Sequence, residues 1–113
     1  MTTLLVLFRR PDGDAEATES FERAYAETHL PLVAGTPGLR ALRVKRVSQV
    51  LVGETETILV SEMDFDDRPA LDAGLASDAM RAAGRNLRSI APGLATMLVL
   101  EAAPDLVPEA WQG

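Results

Sequence analysis

Two residues near the end of the first predicted helix, Tyr25 and His29, have the chemistry and the spacing needed for proton transfer. His29 is the single histidine of the chain, and imidazole is the side chain whose unperturbed pKa lies nearest to neutral pH. Tyr25 lies four residues earlier, about one helical turn, so the phenol and the imidazole can face the same space. We predict that His29 acts as a general acid or base and that Tyr25 donates a hydrogen bond to a developing oxyanion.

A structural role for His29 is the competing interpretation. Phe21, Tyr25 and His29 lie on one apolar stripe at helical spacing, and such stripes usually pack into a core. In that case His29 would fill the junction between helix and sheet and donate to a backbone carbonyl near Pro31. Phe21 is expected to be core, and the sequence identifies no carboxylate that would orient the imidazole.

Apolar residues on three predicted elements are candidates for the walls of a binding cleft. Met63 and Phe65 share one face of a predicted strand, and they would flank a cleft if that face meets the helices. Plain core packing is the alternative for each of them. The complete set of predicted substrate-binding residues is Phe8, Leu32, Met63 and Phe65.

The composition argues against several classes of site. Eleven Lys and Arg against seventeen Asp and Glu give a net charge of −6, which repels nucleic-acid phosphates and anionic membrane surfaces. The absence of cysteine excludes disulfides and thiolate metal sites, and a zinc site with one histidine would need an uncommon ligand set. We expect no metal or cofactor, no nucleic-acid or membrane partner, and a cytoplasmic location.

Hydrophobic patterning predicts the order strand, helix, strand, strand, helix, strand. The strands are predicted at 3–9, 39–52, 57–65 and 96–102, and the helical regions at about 14–34 and 68–90. Pro31 predicts a kink or break near His29, and Ser77 with Asp78 predicts a break in the second helical region. The aspartates that precede this region are interpreted as helix-capping residues rather than as a metal site.

This order is that of the ferredoxin-like βαββαβ fold, an α+β fold in which both helices cover one face of a four-stranded antiparallel sheet. The other face would be bare, although the segments 4–8 and 97–100 are apolar on both sides. A bare apolar face of this size favours pairing with a second copy. We predict a domain over residues 1–103, an irregular tail over 104–113, and a homodimer whose sheets face each other.

A series of short segments between residues 3 and 102 carries a family resemblance. It comprises LFRRPD at 7–12, Phe21 with Tyr25, ETHLPL at 27–32, PGL at 37–39, FDD at 65–67 and LAS at 75–77. In content and order these segments resemble the EthD family of dimeric α+β barrel proteins. The resemblance implies a ferredoxin-like monomer that dimerises through its sheet, a small-molecule cleft between sheet and helices, and His29 as the family's histidine.

The resemblance implies an architecture that hosts different reactions, so the function is argued from the candidate site. The favoured hypothesis is a cofactor-free lyase, isomerase or cyclase acting on a small, largely apolar carbonyl or phenolic compound. Its cleft would have a volume on the order of a few hundred Å³. The alternatives are a non-catalytic ligand-binding or accessory dimer in a catabolic or biosynthetic pathway, and haem or cofactor-free oxygenase chemistry with His29 as an axial haem ligand.

Overall fold

Four strands and two interrupted helical regions follow one another in the predicted order. The structure is a computed structural model that describes residues 1–111. Its elements are β1 (Thr2–Arg9), α1 (Ala15–Ala24), a π-helical turn (Tyr25–His29), α2 (Leu30–Ala34), β2 (Ala41–Arg46), β3 (Thr57–Phe65), α3 (Arg68–Leu75), α4 (Asp78–Ile90) and β4 (Ala95–Glu101).

The sheet is antiparallel with the strand order β2-β3-β1-β4. Val6 in the middle of β1 lies opposite Ser61 of β3 and Met97 of β4, so these side chains share one face. The two inner strands belong to the two halves of the chain, as the split βαβ plan requires. The predicted ferredoxin-like fold is confirmed.

The two faces of the sheet differ in burial. On the inner face Leu4, Val6 and Phe8 are almost completely buried and pack with helical residues such as Leu71 and Leu87. On the outer face the alternate β1 residues are half-buried, and Leu98 and Leu100 of β4 are 42% and 43% exposed. The sequence predicts β1 to be buried on both faces, but within one chain only the inner face is covered.

The first helical region is interrupted where the histidine lies. Asp14 caps α1 by accepting from the backbone N–H of Ala17, and at the other end the N–H of Leu30 donates to the carbonyl of Tyr25 five residues earlier. Pro31 has no N–H and its ring would clash with a carbonyl one turn back, so a wider turn here relieves the conflict. The predicted break near His29 is confirmed.

The second helical region is divided by capping side chains. Asp67 accepts from the N–H of Ala70 at 2.9 Å to start α3, and Ser77 accepts from the N–H of Met80 at 3.2 Å to start α4. Both are favoured N-cap residues, and the predicted break at Ser77 is confirmed. Among the described residues no group of His, Cys, Asp or Glu is arranged to hold a metal ion.

The second strand is shorter than the sequence predicts. A strand was expected over residues 39–52, but β2 covers Ala41–Arg46, and its last ladder partner is Leu59 near the start of β3. One further backbone hydrogen bond, from the N–H of Val47 to the carbonyl of Ile58, continues the pairing. The chain then forms a loop in which Leu51 and Val52 are 83% and 93% exposed. The β-propensity of this segment therefore lacks the partner that a strand needs.

The basic residues of β2 and the residue before it are paired with carboxylates. The ion pairs join Arg40 to Asp66, Arg43 to Glu62 and Asp64, Lys45 to Glu62, and Arg46 to Glu22. A hydrogen bond from the hydroxyl of Thr3, and next one from Arg43, hold the pKa of the Asp64 carboxyl below its usual value. Because β2 is an edge strand of the sheet, these ion pairs place its basic side chains at the sheet edge.

The C-terminal tail carries two short 3₁₀ turns, Pro104–Leu106 and Glu109–Trp111, where the sequence predicts no regular structure. Leu106 and Trp111 are 79% and 78% exposed. Residues 112 and 113 of the predicted tail lie outside the described residues. Within the described part of the chain, no helix has the length and apolarity needed to cross a membrane.

Candidate functional site

A cavity of about 140 Å³ lies between the inner face of the sheet and the helices. Its strand side consists of Leu4, Val6, Phe8, Ser61 and Met63, and its helix side includes Ala83, Gly84 and Leu87 of α4. Leu75 and Met97 also line it, and because they are 39% and 53% exposed they mark its open side. The lining is almost entirely apolar apart from Tyr25, His29 and Ser61.

A second cavity of about 220 Å³ adjoins the first along α4 and shares Gly84, Leu87 and Met97 with it. Arg88 lies on the border of this second cavity. The first cavity is smaller than the predicted cleft of a few hundred Å³. Because the second cavity adjoins the first, a ligand too long for the first cavity would extend along α4 towards Arg88.

His29 lies at the wall of the first cavity with only 6% of its surface exposed. Burial lowers its pKa because an imidazolium is poorly solvated there, and hydrogen bonds to the Asn86 side chain and the Ala83 backbone oppose this effect less strongly. Nδ1 of His29 lies 3.2 Å from Oδ1 of Asn86. The imidazole is therefore neutral at neutral pH, as a general base must be.

Tyr25 lies beside His29 on the π-helical turn and is 3% exposed. Burial raises the pKa of its hydroxyl, and a hydrogen bond with the Ser61 side chain partly offsets this rise. The phenol therefore remains protonated at neutral pH and can donate a hydrogen bond. Its ring centroid is 5.3 Å from that of His29 with an interplanar angle of 32°.

An aromatic cluster fixes the orientation of the Tyr25 ring. Phe8 meets Tyr25 edge to face at a centroid distance of 5.1 Å, and Phe21 lies 6.0 Å from Tyr25. Offset and edge-to-face pairs of this kind each add about 0.5–1.5 kcal/mol beyond the area they bury. Phe21 is a core residue as predicted, with 5% of its surface exposed.

Four of the six predicted site residues come together at this cavity, namely His29, Tyr25, Phe8 and Met63. Leu32 does not line it; Val33 does. The π-helical turn shifts the helix surface by about one residue relative to a regular α-helix, so the residue after Leu32 takes the cavity-facing position.

Phe65 also lies away from the cavity, although it is on the same strand face as Met63. Its fully buried ring packs beneath α3, where a Cβ on Gly74 would come within 2.8 Å of the ring carbon Cε1. Gly74 therefore leaves the space that this ring occupies. The strand face is as predicted, but Phe65 lies too far along the strand to reach the cavity.

Sequence reasoning did not identify Ser61 and Asn86 as site residues. Ser61 gives a weak signal, a hydroxyl between Leu59 and Met63 on a largely apolar strand face. Asn86 gives none, since it reaches His29 only through the packing of α4 against the π-helical turn.

Comparisons with solved structures give the same architecture. An EthD family protein from Bacillus halodurans matches with a TM-score of 0.81 and 30% sequence identity, covering 91% of this chain and 99% of that one. A dimeric protein of ferredoxin-like fold from Bacteroides fragilis matches with a TM-score of 0.64 and 20% identity, covering 89% and 95%. SnoaB from Streptomyces nogalater, a cofactor-independent oxygenase, matches with a TM-score of 0.58 and 19% identity, covering 90% and 92%.

No protein-family model and no curated protein sequence matches the chain. The Bacillus halodurans protein is similar over nearly the full length of both chains, at 30% identity and a TM-score of 0.81. This chain, with its ferredoxin-like sheet and interrupted helices, belongs to the EthD family.

Proposed function

We propose that the protein is a homodimer whose clefts bind a small, largely apolar carbonyl or phenolic compound and catalyse a proton transfer without a cofactor. In this proposal His29 is the base and Tyr25 donates a hydrogen bond to the substrate oxygen. One observation carries the proposal: the imidazole of His29 and the phenol of Tyr25 lie side by side in a nearly apolar cavity, with their ring centroids 5.3 Å apart.

The size of the cavity indicates the size of the ligand. Its volume is about 140 Å³, close to the roughly 150 Å³ of an engineered apolar protein cavity that binds benzene. A compound with one ring and a short polar substituent fits such a space. Its apolar part would contact Val6, Met63 and Leu87, and its oxygen would meet the Tyr25 hydroxyl.

The proposed reaction begins with removal of a proton from the carbon next to a carbonyl group. The C–H electron pair moves towards the carbonyl oxygen to give an enolate, and the proton goes to His29 to give an imidazolium. Tyr25 stabilises the oxygen by hydrogen bonding where charge develops. If the enolate is conjugated with a second carbon–carbon double bond, return of the proton from His29 to the far carbon gives an isomer. If the carbon β to the carbonyl carries a leaving group, departure of that group with its bonding electrons gives a lyase reaction.

A reaction without a cofactor is compatible with what one structural neighbour of the same fold does. SnoaB has the same fold and is described as a cofactor-independent oxygenase, so the fold can host chemistry that relies on side chains. At 19% identity this likeness concerns the fold alone. The proton-transfer assignment for this chain therefore depends on His29 and Tyr25.

The dimer in this proposal is supported by the outer face of the sheet and by the neighbours. Leu98 and Leu100 are exposed there, beside the half-buried Leu5 and Leu7. Three structural neighbours, from Bacteroides fragilis, Thermobifida fusca and Jannaschia, are described as dimeric. The paired unit would be the domain of residues 1–103, with residues 104–113 as its tail.

A tryptophan at the open side of the cavity is expected to block ligand binding. In Leu75→Trp the indole would cover the opening, and the affinity for acetophenone should fall about tenfold or more. Acetophenone can be titrated while NMR follows the resonances of His29 and Tyr25, the single histidine and the single tyrosine of the chain.

Leu51→Trp is the matched control, because Leu51 is 83% exposed and does not line the cavity. This variant should bind acetophenone as the wild type does. Equal binding by the wild type and Leu75→Trp would show that the ligand does not occupy this cavity.

A further inference from the structure

A chain of hydrogen bonds leads from the first helical region to the imidazole through Asn86. The hydroxyl of Thr28 donates to the carbonyl of Ala24 at 2.7 Å, and Nδ2 of Asn86 donates to Oγ1 of Thr28 at 3.1 Å. Oδ1 of Asn86 then lies 3.2 Å from Nδ1 of His29. Of the four residues that these hydrogen bonds join, Asn86 alone belongs to α4.

The direction of each hydrogen bond follows from the one before it. The Ala24 carbonyl can only accept, so it takes the single hydroxyl hydrogen of Thr28. Oγ1 of Thr28 is then left with its lone pairs and must accept from the NH₂ group of Asn86. The amide oxygen of Asn86 therefore faces His29, and because that oxygen can only accept, the hydrogen lies on Nδ1 of His29.

We propose that Asn86 is a positioning residue that holds His29 in the Nδ1–H tautomer and leaves the lone pair of Nε2 for a ligand in the cleft. A free histidine side chain in water prefers the opposite tautomer, with the hydrogen on Nε2. Without Asn86 the nitrogen left for a ligand would therefore be mostly a donor rather than a base.

Asn86 orients the imidazole without adding a charge. In a catalytic triad a buried carboxylate fixes the histidine tautomer and also stabilises the imidazolium. An amide supplies the same acceptor geometry but no negative charge, so His29 stays neutral down to a lower pH. The positioning role rests on the proposed function, in which His29 accepts a proton, whereas the tautomer does not depend on it.

The tautomer can be observed directly, because the chain has one histidine and its imidazole signals need no assignment. A long-range ¹H–¹⁵N spectrum of ¹⁵N-labelled protein at about pH 8, above the usual histidine pKa, should show a protonated Nδ1 and an unprotonated Nε2. In Asn86→Leu the two nitrogens should shift towards the Nε2–H pattern. In Asn86→Asp the Nδ1–H pattern should persist and the pKa of His29 should rise by about one unit or more.

Thr28→Val tests the same series of hydrogen bonds at the residue beyond Asn86, which is exposed. The variant removes the acceptor that orients the Asn86 amide, so part of the Nδ1–H population should be lost. Ser89→Ala, an exposed substitution on α4, is the control and should leave the spectrum unchanged.

A wild-type spectrum with the hydrogen on Nε2, as expected if the Ala83 carbonyl rather than Asn86 accepts from the imidazole, would overturn the proposal. An unchanged tautomer in a folded Asn86→Leu variant would overturn it as well. The predicted spectrum together with an absence of proton-transfer activity would count against the proposed function but not against the role of Asn86. The two failures are therefore distinguishable.

Discussion

Replacing His29 with glutamine is expected to lower catalysed proton exchange by about 10²–10⁴-fold, the usual contribution of a positioned general base. Glutamine is polar and similar in length, and it can still hydrogen-bond with Asn86, so the variant removes the base while keeping a polar group at the site. The measurement is deuterium incorporation into the methyl group of acetophenone in D₂O, followed by NMR.

Tyr25→Phe is the companion variant for the same reaction. It keeps the ring that packs between Phe8 and His29 and removes the hydroxyl that donates to the enolate oxygen. The rate should fall by roughly 10²–10³-fold, as for the loss of one oxyanion donor. If wild type and His29→Gln exchange the methyl protons equally fast, the proposed chemistry is wrong; binding without exchange by the wild type would instead favour a non-catalytic binder.

Leu98→Glu is expected to convert the proposed dimer into a monomer. Leu98 is 42% exposed on the outer face of β4, so in a monomer the substitution should change stability by no more than about 0.5 kcal/mol. In a dimer paired through this face, the substitution would bury one unpaired carboxylate in each subunit, at a cost of several kcal/mol. Analytical ultracentrifugation should give twice the chain mass of 12.1 kDa for the wild type and the single mass for Leu98→Glu.

Leu51→Glu is the control for the dimer experiment, because Leu51 lies in the exposed loop after β2 and outside the sheet. This variant should sediment as the wild type does. A monomeric wild type, or a Leu98→Glu variant that remains dimeric, would contradict pairing through the outer face.

The sequence was sufficient for the features that depend on local chemistry. Ser77 divides the second helical region because its hydroxyl caps α4, and Pro31 displaces the helix at His29 because it lacks an N–H. Alternation along β3 placed Met63 on the face that meets the helices. Each of these features follows from a residue and its immediate neighbours along the chain.

Features that depend on packing between distant segments could not be predicted from local sequence patterns. The form of the break at His29, a π-helical turn, decides that Val33 and not Leu32 lines the cavity. The end of β2 at Arg46 is set by the start of β3. Asn86 contacts His29 although the two residues are 57 positions apart in the sequence. No local sequence pattern predicts that contact.

The central claim, that neutral His29 is the base in this cleft, is tested most directly by measuring one pKa in two ways. Among the described cavity residues Tyr25 is the other titratable group, and its raised pKa keeps it protonated through this range. Burial lowers the pKa of His29 from 6.5, so protonation, and with it the loss of the base, is expected only at a more acidic pH.

The measurement is the pH dependence of acetophenone exchange, set beside an NMR titration of the single imidazole. The account predicts that the exchange rate falls as the pH decreases through the NMR pKa of His29, and that both midpoints lie below 6.5. An exchange rate that stays constant while NMR shows His29 becoming protonated would contradict the account.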